Sequence, residues 1–352
     1  MNFVLTDRAD QNRTTYDFVK LSRALWRTAR PVHPAPTFSD AFARAKYFIR
    51  GAARPGLTAE WFAILGSPGL ERLVEWHPHA FSKLQRPYLH RRLDAAGRLA
   101  ALRSHYRFVA EYLDEQVRAG IFTPQGYLLA ALPETRAGRF ALRLFYARAF
   151  SKEGDLSLSL VDEERERPMV TLTFCVSDFD AGGPREIFIG GLQGHAEDGL
   201  RELLVELTRS MHGLRPKALL VCATQRLAQT WGIPAIKAVS GREHIYRHYL
   251  KRRHFDADYD EFWTQSNGQR LADGNFLLPA IPLARNVDEL PRNKRGMYRQ
   301  RYAMLARLGE QIAARAVGWD EPVLEVATLP EEFEGMSVRL HQSDEVWMLN
   351  EE

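Results

Sequence analysis

Apolar residues recur every three or four positions through the first third of the chain and every second position through the middle third. The early pattern predicts helices. One carries Phe42, Ala45, Phe48 and Ile49 on a single face, with Asp40 as its cap. A longer one carries Leu99, Leu102, Tyr106, Val109, Leu113 and Val117, and Gly120 stops it. Proline turns at Pro55, Pro68, Pro78 and Pro87 lie between the two. From about Gly126 the period drops to two. Phe140, Leu142, Leu144 and Tyr146 alternate with smaller or more polar neighbours, as do Leu156, Leu158 and Leu160, then Val170, Leu172, Phe174 and Val176. Strict alternation predicts half-buried strands, and the turns at 152–155, 162–168 and 178–184 predict hairpins. A fourth strand at 186–190 completes an antiparallel meander.

The pattern then changes again. Asp198 precedes a helical stripe of Leu200, Leu203, Leu204, Leu207 and Met211 that ends at Gly213. A short strand is expected at 218–222, a helix at 224–231 and a last strand at 233–239. A basic helix follows, with no acid from Pro291 to Gly309 and an expected buried face of Met297, Tyr298, Tyr302 and Leu305. The expected class is α+β. It divides into a helical N-terminal region (1–125), a central mixed-sheet core (126–290), a basic helix (291–316) and an acidic tail (317–352).

Composition narrows the function classes. The chain has 352 residues, 45% hydrophobic and 26% charged, which suits a folded globular protein. Two cysteines, Cys175 and Cys222, are too few for a disulfide framework or a cysteine zinc site. The start of the chain has no apolar signal segment and no run reaches a membrane span, so a cytoplasmic location is expected. The net charge of +4 is unevenly spread. Residues 317–352 hold ten acids and one base, a net of −9, and leave +13 on the first 316 residues. A body this basic expects an acidic partner: nucleic acid, anionic lipid or a phosphorylated small molecule. The basic segments at 247–254 and 292–301 match no nucleic-acid-binding signature, so sequence-specific recognition of nucleic acid is not expected. The apolar anchors Trp319, Phe333, Met336 and Trp347 suggest that the tail docks on the body.

The most informative junction is Ile187-Phe-Ile-Gly-Gly-Leu-Gln-Gly-His195, leading into the Asp198 helix. Glycines end a strand, and a helix starts at once. Free amides there can bind phosphate, and glycines admit a ligand close to the backbone. A bulge with a tight strand–helix turn explains the same residues without any ligand. Asp258-Tyr-Asp-Glu-Phe-Trp263 gathers three carboxylates, but salt bridges to the basic segments explain them better than a metal, and no metal is expected.

The order of meander, helix, strand, helix, strand resembles the acetyltransferase fold of the GNAT superfamily. Gln193 stands where that fold's phosphate signature begins, although Ala196 replaces its first glycine. A second resemblance is carried by many segments: Gln85-Arg-Pro-Tyr88, His105-Tyr106, Glu153-Gly154, Ile189-Gly-Gly-Leu-Gln-Gly194, His212-Gly-Leu-Arg-Pro-Lys217, His244-Ile-Tyr246, Asp258 to Trp263, and the Lys294 to Ala303 run. On these the chain resembles the VirK/YbjX family, also called DUF535. That resemblance implies a bacterial protein linked to virulence and to resistance against cationic antimicrobial peptides.

The acetyltransferase resemblance implies acyl transfer from acyl-CoA or a related thioester to an amine or hydroxyl of a small-molecule or lipid acceptor. Gly190, Gly191, Gln193, Gly194, His195 and Gly199 would hold the donor. His244 or Glu153 would accept the acceptor's proton and Tyr246 would protonate the leaving sulfur. Bland readings remain open: a packed His244/Tyr246 pair, a surface turn carboxylate at Glu153, and a structural His105. The competing function is a non-enzymatic envelope-stress factor, peripheral to the inner membrane, that binds anionic lipid or a protein partner.

Overall fold

The computed structural model describes residues 18–178, 183–194, 200–246 and 259–316. The acidic tail, His195, Gly199, Asp198, Asp258 and the basic stretch 247–254 lie outside the described residues.

Helices come first. α1 (Phe18–Val32) and α2 (Phe38–Ala52) pack as a hairpin. α3 (Pro55–Leu65), α4 (Glu71–Trp76), a 3-10 helix (Pro78–Gln85), α5 (Ala95–Glu111) and α6 (Glu115–Ile121) follow. The cap of α2 is Thr37, whose hydroxyl accepts the Asp40 N–H at 3.1 Å. Asp40 instead accepts the Ala35 N–H at 2.8 Å. The expected buried stripe of α2 also faces the other way. Phe42 and Ile49 are exposed, and Tyr47 and Gly51 are buried. The single long helix expected over 99–117 is two helices. Asp114 caps the second through the Gln116 N–H at 2.7 Å, so the chain turns there while the apolar spacing runs on.

The strands are β1 (Tyr127–Ala131), β2 (Phe140–Tyr146), β3 (Leu156–Asp162), β4 (Arg167–Ser177) and β5 (Glu186–Gly194). They form an antiparallel meander in that order. α7 (Leu200–Ser210) and α8 (Pro216–Thr230) then lead to β6 (Ala235–Ala238), which pairs parallel to β5. The strand expected at 218–222 belongs to α8. Pro216 sits at its first turn, and Leu219, Leu220, Val221 and Ala223 are all buried, so the run reads as apolar without periodicity. α9 (Tyr259–Gln265) and two short strands, β7 (Gln269–Arg270) and β8 (Phe276–Leu278), extend the sheet to the order β1-β2-β3-β4-β5-β6-β8-β7. α10 (Arg292–Arg315) buries Met304, Leu308 and Ile312, not the residues expected from the sequence. Several of its arginines are tethers: Arg301 donates twice to the His212 carbonyl, and Arg295 bonds the Leu290 and Asp288 carbonyls. The class is α+β, and one apolar core runs from Leu21 of α1 to Ile312 of α10.

A buried ion pair joins the helical region to the sheet. Lys83 of the 3-10 helix meets Asp155, just before β3, with both side chains essentially sealed from solvent. Lys83 also donates to the Gly154 carbonyl at 3.2 Å. The hydroxyls of Tyr88 and Tyr106 donate to the same carboxylate. Burial opposes the charge, but Lys83 and the Tyr106 hydroxyl hold the Asp155 carboxyl below its ordinary range. His105 lies beside this cluster and accepts the Val176 N–H at 3.1 Å through Nδ1. Burial pushes its pKa down to about 4.

Removing Asp155 strands Lys83 as an uncompensated buried cation. Asp155→Asn is expected to cost about 3–5 kcal/mol in urea unfolding, and a loss below ~1 kcal/mol would count against the tether. His105 sets a pH dependence. Below its ordinary 6.5 the unfolded chain takes a proton that the folded chain refuses until about pH 4, so stability falls across that window as pH drops. His105→Gln should flatten the fall, and an unchanged slope would place its origin elsewhere.

Candidate functional site

The alternation of β3 and β4 gives the sheet two unlike faces. Leu158, Leu160, Val170 and Leu172 point to the apolar side. The intervening residues Ser157, Ser159, Thr171 and Thr173 are buried as well, and they pair hydroxyl to hydroxyl: Ser157 with Thr173 at 3.0 Å, Ser159 with Thr171 at 2.9 Å. Register extends both rows onto β5, as Thr173 pairs with Gly191 and Thr171 with Gln193. The centre of the sheet therefore presents a floor of small polar side chains.

Glu153 is brought against the end of this floor. The expected tight hairpin at 152–155 is a longer connection folded inward. The Leu89 N–H bonds the Lys152 carbonyl at 2.7 Å, and the Lys83–Asp155 pair pins the far end. Glu153 is consequently fully buried rather than a surface turn residue. Its place depends on the two glycines of β5. A Cβ on Gly190 would lie 1.9 Å from the Glu153 carbonyl oxygen, and one on Gly191 would lie 1.9 Å from Glu153 Oε2. The register slips at Gly190, so the glycine pair forms a bulge inside a strand that continues to Gly194. The space that the sequence assigns to a donor at Gly190 and Gly191 is filled by Glu153.

Three further side chains close on that carboxylate. Gln193 donates from Nε2 to Glu153 Oε1 at 2.9 Å. His244 places Nε2 3.3 Å from the same oxygen. Its Nδ1 accepts the Tyr246 N–H at 3.4 Å, so in the neutral ring the proton sits on Nε2. Tyr259 of α9 stacks on the His244 ring, with centroids 5.0 Å apart. Its hydroxyl accepts both the Leu192 N–H and Gln193 Nε2 at 3.0 Å, so it completes the β5 edge beyond the reach of β6. Tyr246 is half-buried, its ring 5.7 Å from His244 and under the Lys152 ammonium at 5.3 Å. Burial and the charge of Glu153 push the pKa values of Tyr246 and Tyr259 up.

A second loop positions His244. Its backbone bridges His90, and Glu243 is held by Arg91 at 3.1 Å and Arg92 at 2.7 Å. Gly241 N–H bonds Asp260, which pairs with Arg270. Asp260 is thus a loop anchor, and its cation among the described residues is Arg270.

Two cationic cavities border these elements. One, of about 480 Å³, is lined by Arg50, Gln85, Arg86, Pro87, Arg98 and Lys152, with no acid among them. The other, of about 740 Å³, lies between the β3–β4 turn and α7 and includes Arg165, Arg167, Arg201 and Arg209 with Glu202 and Glu206. Gly194 is exposed at the α7 end of β5, and among the described residues, its chain neighbours aside, no atom lies within 4 Å of its missing Cβ. Among the described residues no group of three His, Cys, Asp or Glu side chains gathers to hold a metal. Cys175 is buried and Cys222 largely so, and burial pushes the Cys222 thiol up to about 11, which leaves it protonated.

The segments that carry the family resemblance lie far apart in sequence, and Tyr88, Tyr106, Glu153, Gln193, His244 and Tyr259 from them meet in this one region. The family model described as "Protein of unknown function (DUF535)" matches residues 37–314. The chain belongs to this family. It is 32% identical over 274 residues to the uncharacterized protein YbjX of Escherichia coli K12, covering 77% of this chain and 82% of that one. It is 27% identical over 222 residues to an uncharacterized protein of Haemophilus influenzae, covering 63% of this chain and 72% of the relative. No solved structure matches the chain. No described helix is long and apolar enough to cross a membrane.

Sequence reasoning paired His244 with Tyr246 and named Glu153 separately; the fold brings all three together. It missed Tyr259, the Ser/Thr floor and the Lys83–Asp155 pair. The signal for the floor was present, because Leu-Ser-Leu-Ser-Leu and Val-Thr-Leu-Thr put small hydroxyls where a wetted strand usually carries large charged residues.

The glycine packing is directly testable by urea unfolding. Gly190→Ala must displace backbone and is expected to cost the ~1–3 kcal/mol of an overpacked interior site. Gly194→Ala meets open space and should stay within ~0.5 kcal/mol of the parent. Equal effects would mean that the Glu153 connection yields freely.

Proposed function

We propose that this protein transfers an acyl group from acyl-CoA or a related thioester to a hydroxyl or amine on an anionic acceptor. The observation that carries the reading is the state of Glu153. Oε1 accepts a hydrogen bond from Gln193 and lies 3.3 Å from His244 Nε2, while Oε2 has no hydrogen-bond partner among the described residues. A sealed carboxylate oriented at one oxygen and uncommitted at the other is costly to fold, and such sites concentrate where proton transfer is needed.

Each cavity suits one substrate. The arginines at the α7 end of β5 favour the donor's phosphates. Arg167 lies six positions before Thr173, the register partner of Gly191, so the two are about 20 Å apart along the strand at ~3.3 Å per residue. That span suits an extended pantetheine arm. The Arg50, Arg86, Arg98 and Lys152 cavity favours an anionic acceptor, and Lys152 is the chain neighbour of Glu153. The sheet order, a meander followed by helices and a parallel strand, also resembles that of GNAT acetyltransferases.

In the proposed step the acceptor's oxygen or nitrogen attacks the thioester carbonyl and passes its proton to Glu153. The C–S bond breaks, and Glu153 returns that proton to the sulfur. Tyr246, whose raised pKa keeps it protonated, donates a hydrogen bond to the departing sulfur. His244 and Gln193 hold the carboxylate and do not themselves exchange protons.

Calorimetry with acyl-CoA tests the donor half. The parent should bind, and Arg167→Ala combined with Arg201→Ala should weaken binding by about tenfold. Glu153→Gln should bind the donor normally and lose about 10²–10⁴-fold in thiol release. Failure of the parent to bind any thioester at millimolar concentration would sink the reading and leave the non-enzymatic lipid-surface role.

A further inference from the structure

The α1–α2 hairpin carries a surface that neither the core nor the Glu153 region uses. Each helix keeps one side for the interior: Leu21, Leu25, Ala29 and Val32 of α1, Tyr47 and Gly51 of α2. Opposite the buried side of α2, Phe38, Phe42, Ala45 and Ile49 follow helical spacing and form one outward stripe. Phe38 is 90% exposed, Phe42 66% and Ile49 65%. Trp26 of α1 is 76% exposed but lies on another side of the hairpin, because α1 meets α2 through Leu25 and Thr28, beside Gly51 and Tyr47. Single exposed apolar residues are ordinary, but a row of this size along one helix marks an interaction surface.

The hairpin itself is strongly basic. Residues 18–54 hold eight lysines and arginines and one acid, a net of +7 against +4 for the whole chain. The lone acid, Asp40, is engaged with the Ala35 N–H and does not offset the surface field. Arg44 is also engaged, with the His33 and Ala35 carbonyls, so it stiffens the hairpin turn.

We propose that the outward face of α2 in the α1–α2 hairpin docks on an anionic lipid bilayer. Phe38, Phe42 and Ile49 enter the boundary between headgroups and acyl chains, and the flanking cations meet lipid phosphates. An apolar stripe with basic flanks is the pairing that an anionic bilayer takes. A second copy of the chain would bring two hairpins of net +7 together, which charge repulsion opposes. Arg50 belongs both to α2 and to the 480 Å³ cationic cavity, so a docked molecule holds that cavity beside the headgroups. A lipid acceptor for acyl transfer follows only if the acyl-transfer reading holds, whereas the docking stands without it.

The full chain is sedimented with vesicles of phosphatidylcholine alone and of phosphatidylcholine mixed with phosphatidylglycerol. Binding is expected only to the mixed vesicles, weaker but not abolished at high salt, because screening removes the charge part alone. Phe38→Ser with Phe42→Ser should reduce the apparent affinity by about tenfold or more, and so should Arg23→Glu with Lys46→Glu. All four positions are exposed, so melting temperatures should stay within a few degrees of the parent. Equal binding to both vesicles, no binding by the parent, or parent-like binding by both double variants would overturn the proposal. So would a dimer in light scattering that Phe38→Ser with Phe42→Ser dissolves, since a second copy would then be the occupant. Thioester calorimetry on the same variants separates the two readings: lost vesicle binding with intact donor binding supports docking as an independent property.

Discussion

The arrangement depends on one buried ion pair. Lys83 and Asp155 meet where both are cut off from water, and such a pair is tolerated only when the remaining polar atoms are satisfied. Here they are: Tyr88 and Tyr106 supply hydroxyl donors to the carboxylate, and the Gly154 carbonyl takes another Lys83 proton. The geometry spans three parts of the chain, the 3-10 helix with its following loop, α5, and the approach to β3. It therefore fixes how the helical region sits on the sheet. An apolar contact could have slid by an ångström at little cost, but a buried pair that must keep its hydrogen bonds could not.

That constraint reaches the candidate site through two residues of chain. Asp155 is pinned, Gly154 packs on the Phe174 backbone, and Glu153 is left facing the β5 bulge. From the other side, Arg91 and Arg92 hold Glu243 and so bring His244 to the same carboxylate. The N-terminal helices thus build the site from behind. A carboxylate placed this way is oriented before any ligand arrives, which is the condition under which a charged group contributes most to a reaction.

Charge is distributed with equal economy. Cations of the interior are each answered, as in Lys83 with Asp155 and Arg301 with the His212 carbonyl, and the basic helix α10 uses part of its charge as structural tethers. Other cations border the two cavities and the outer side of the hairpin. The basic body read from composition is therefore several surfaces with different neighbours, and only some of them face outward.

The sequence by itself determined the class of each long element. The change from 3.6 to 2 periodicity near Gly126 is a local property, because alternation between a core and an opposite face is written residue by residue. The meander, α7, β6 and α10 were legible for that reason. Tertiary structure decided what periodicity cannot encode. The run 218–222 is apolar on every side and became helix because α8 is buried all round. The α2 stripe of Phe42 and Ile49 is as regular as a core stripe, and only the neighbours of α2 make it outward. Glu153 looks like any turn carboxylate until the Lys83–Asp155 pair draws its loop inward. Gly190 and Gly191 look like a ligand cradle until that same carboxylate fills it. A cradle for a ligand and a cradle for one's own side chain need the same absent Cβ atoms, and only the path of the rest of the chain tells them apart.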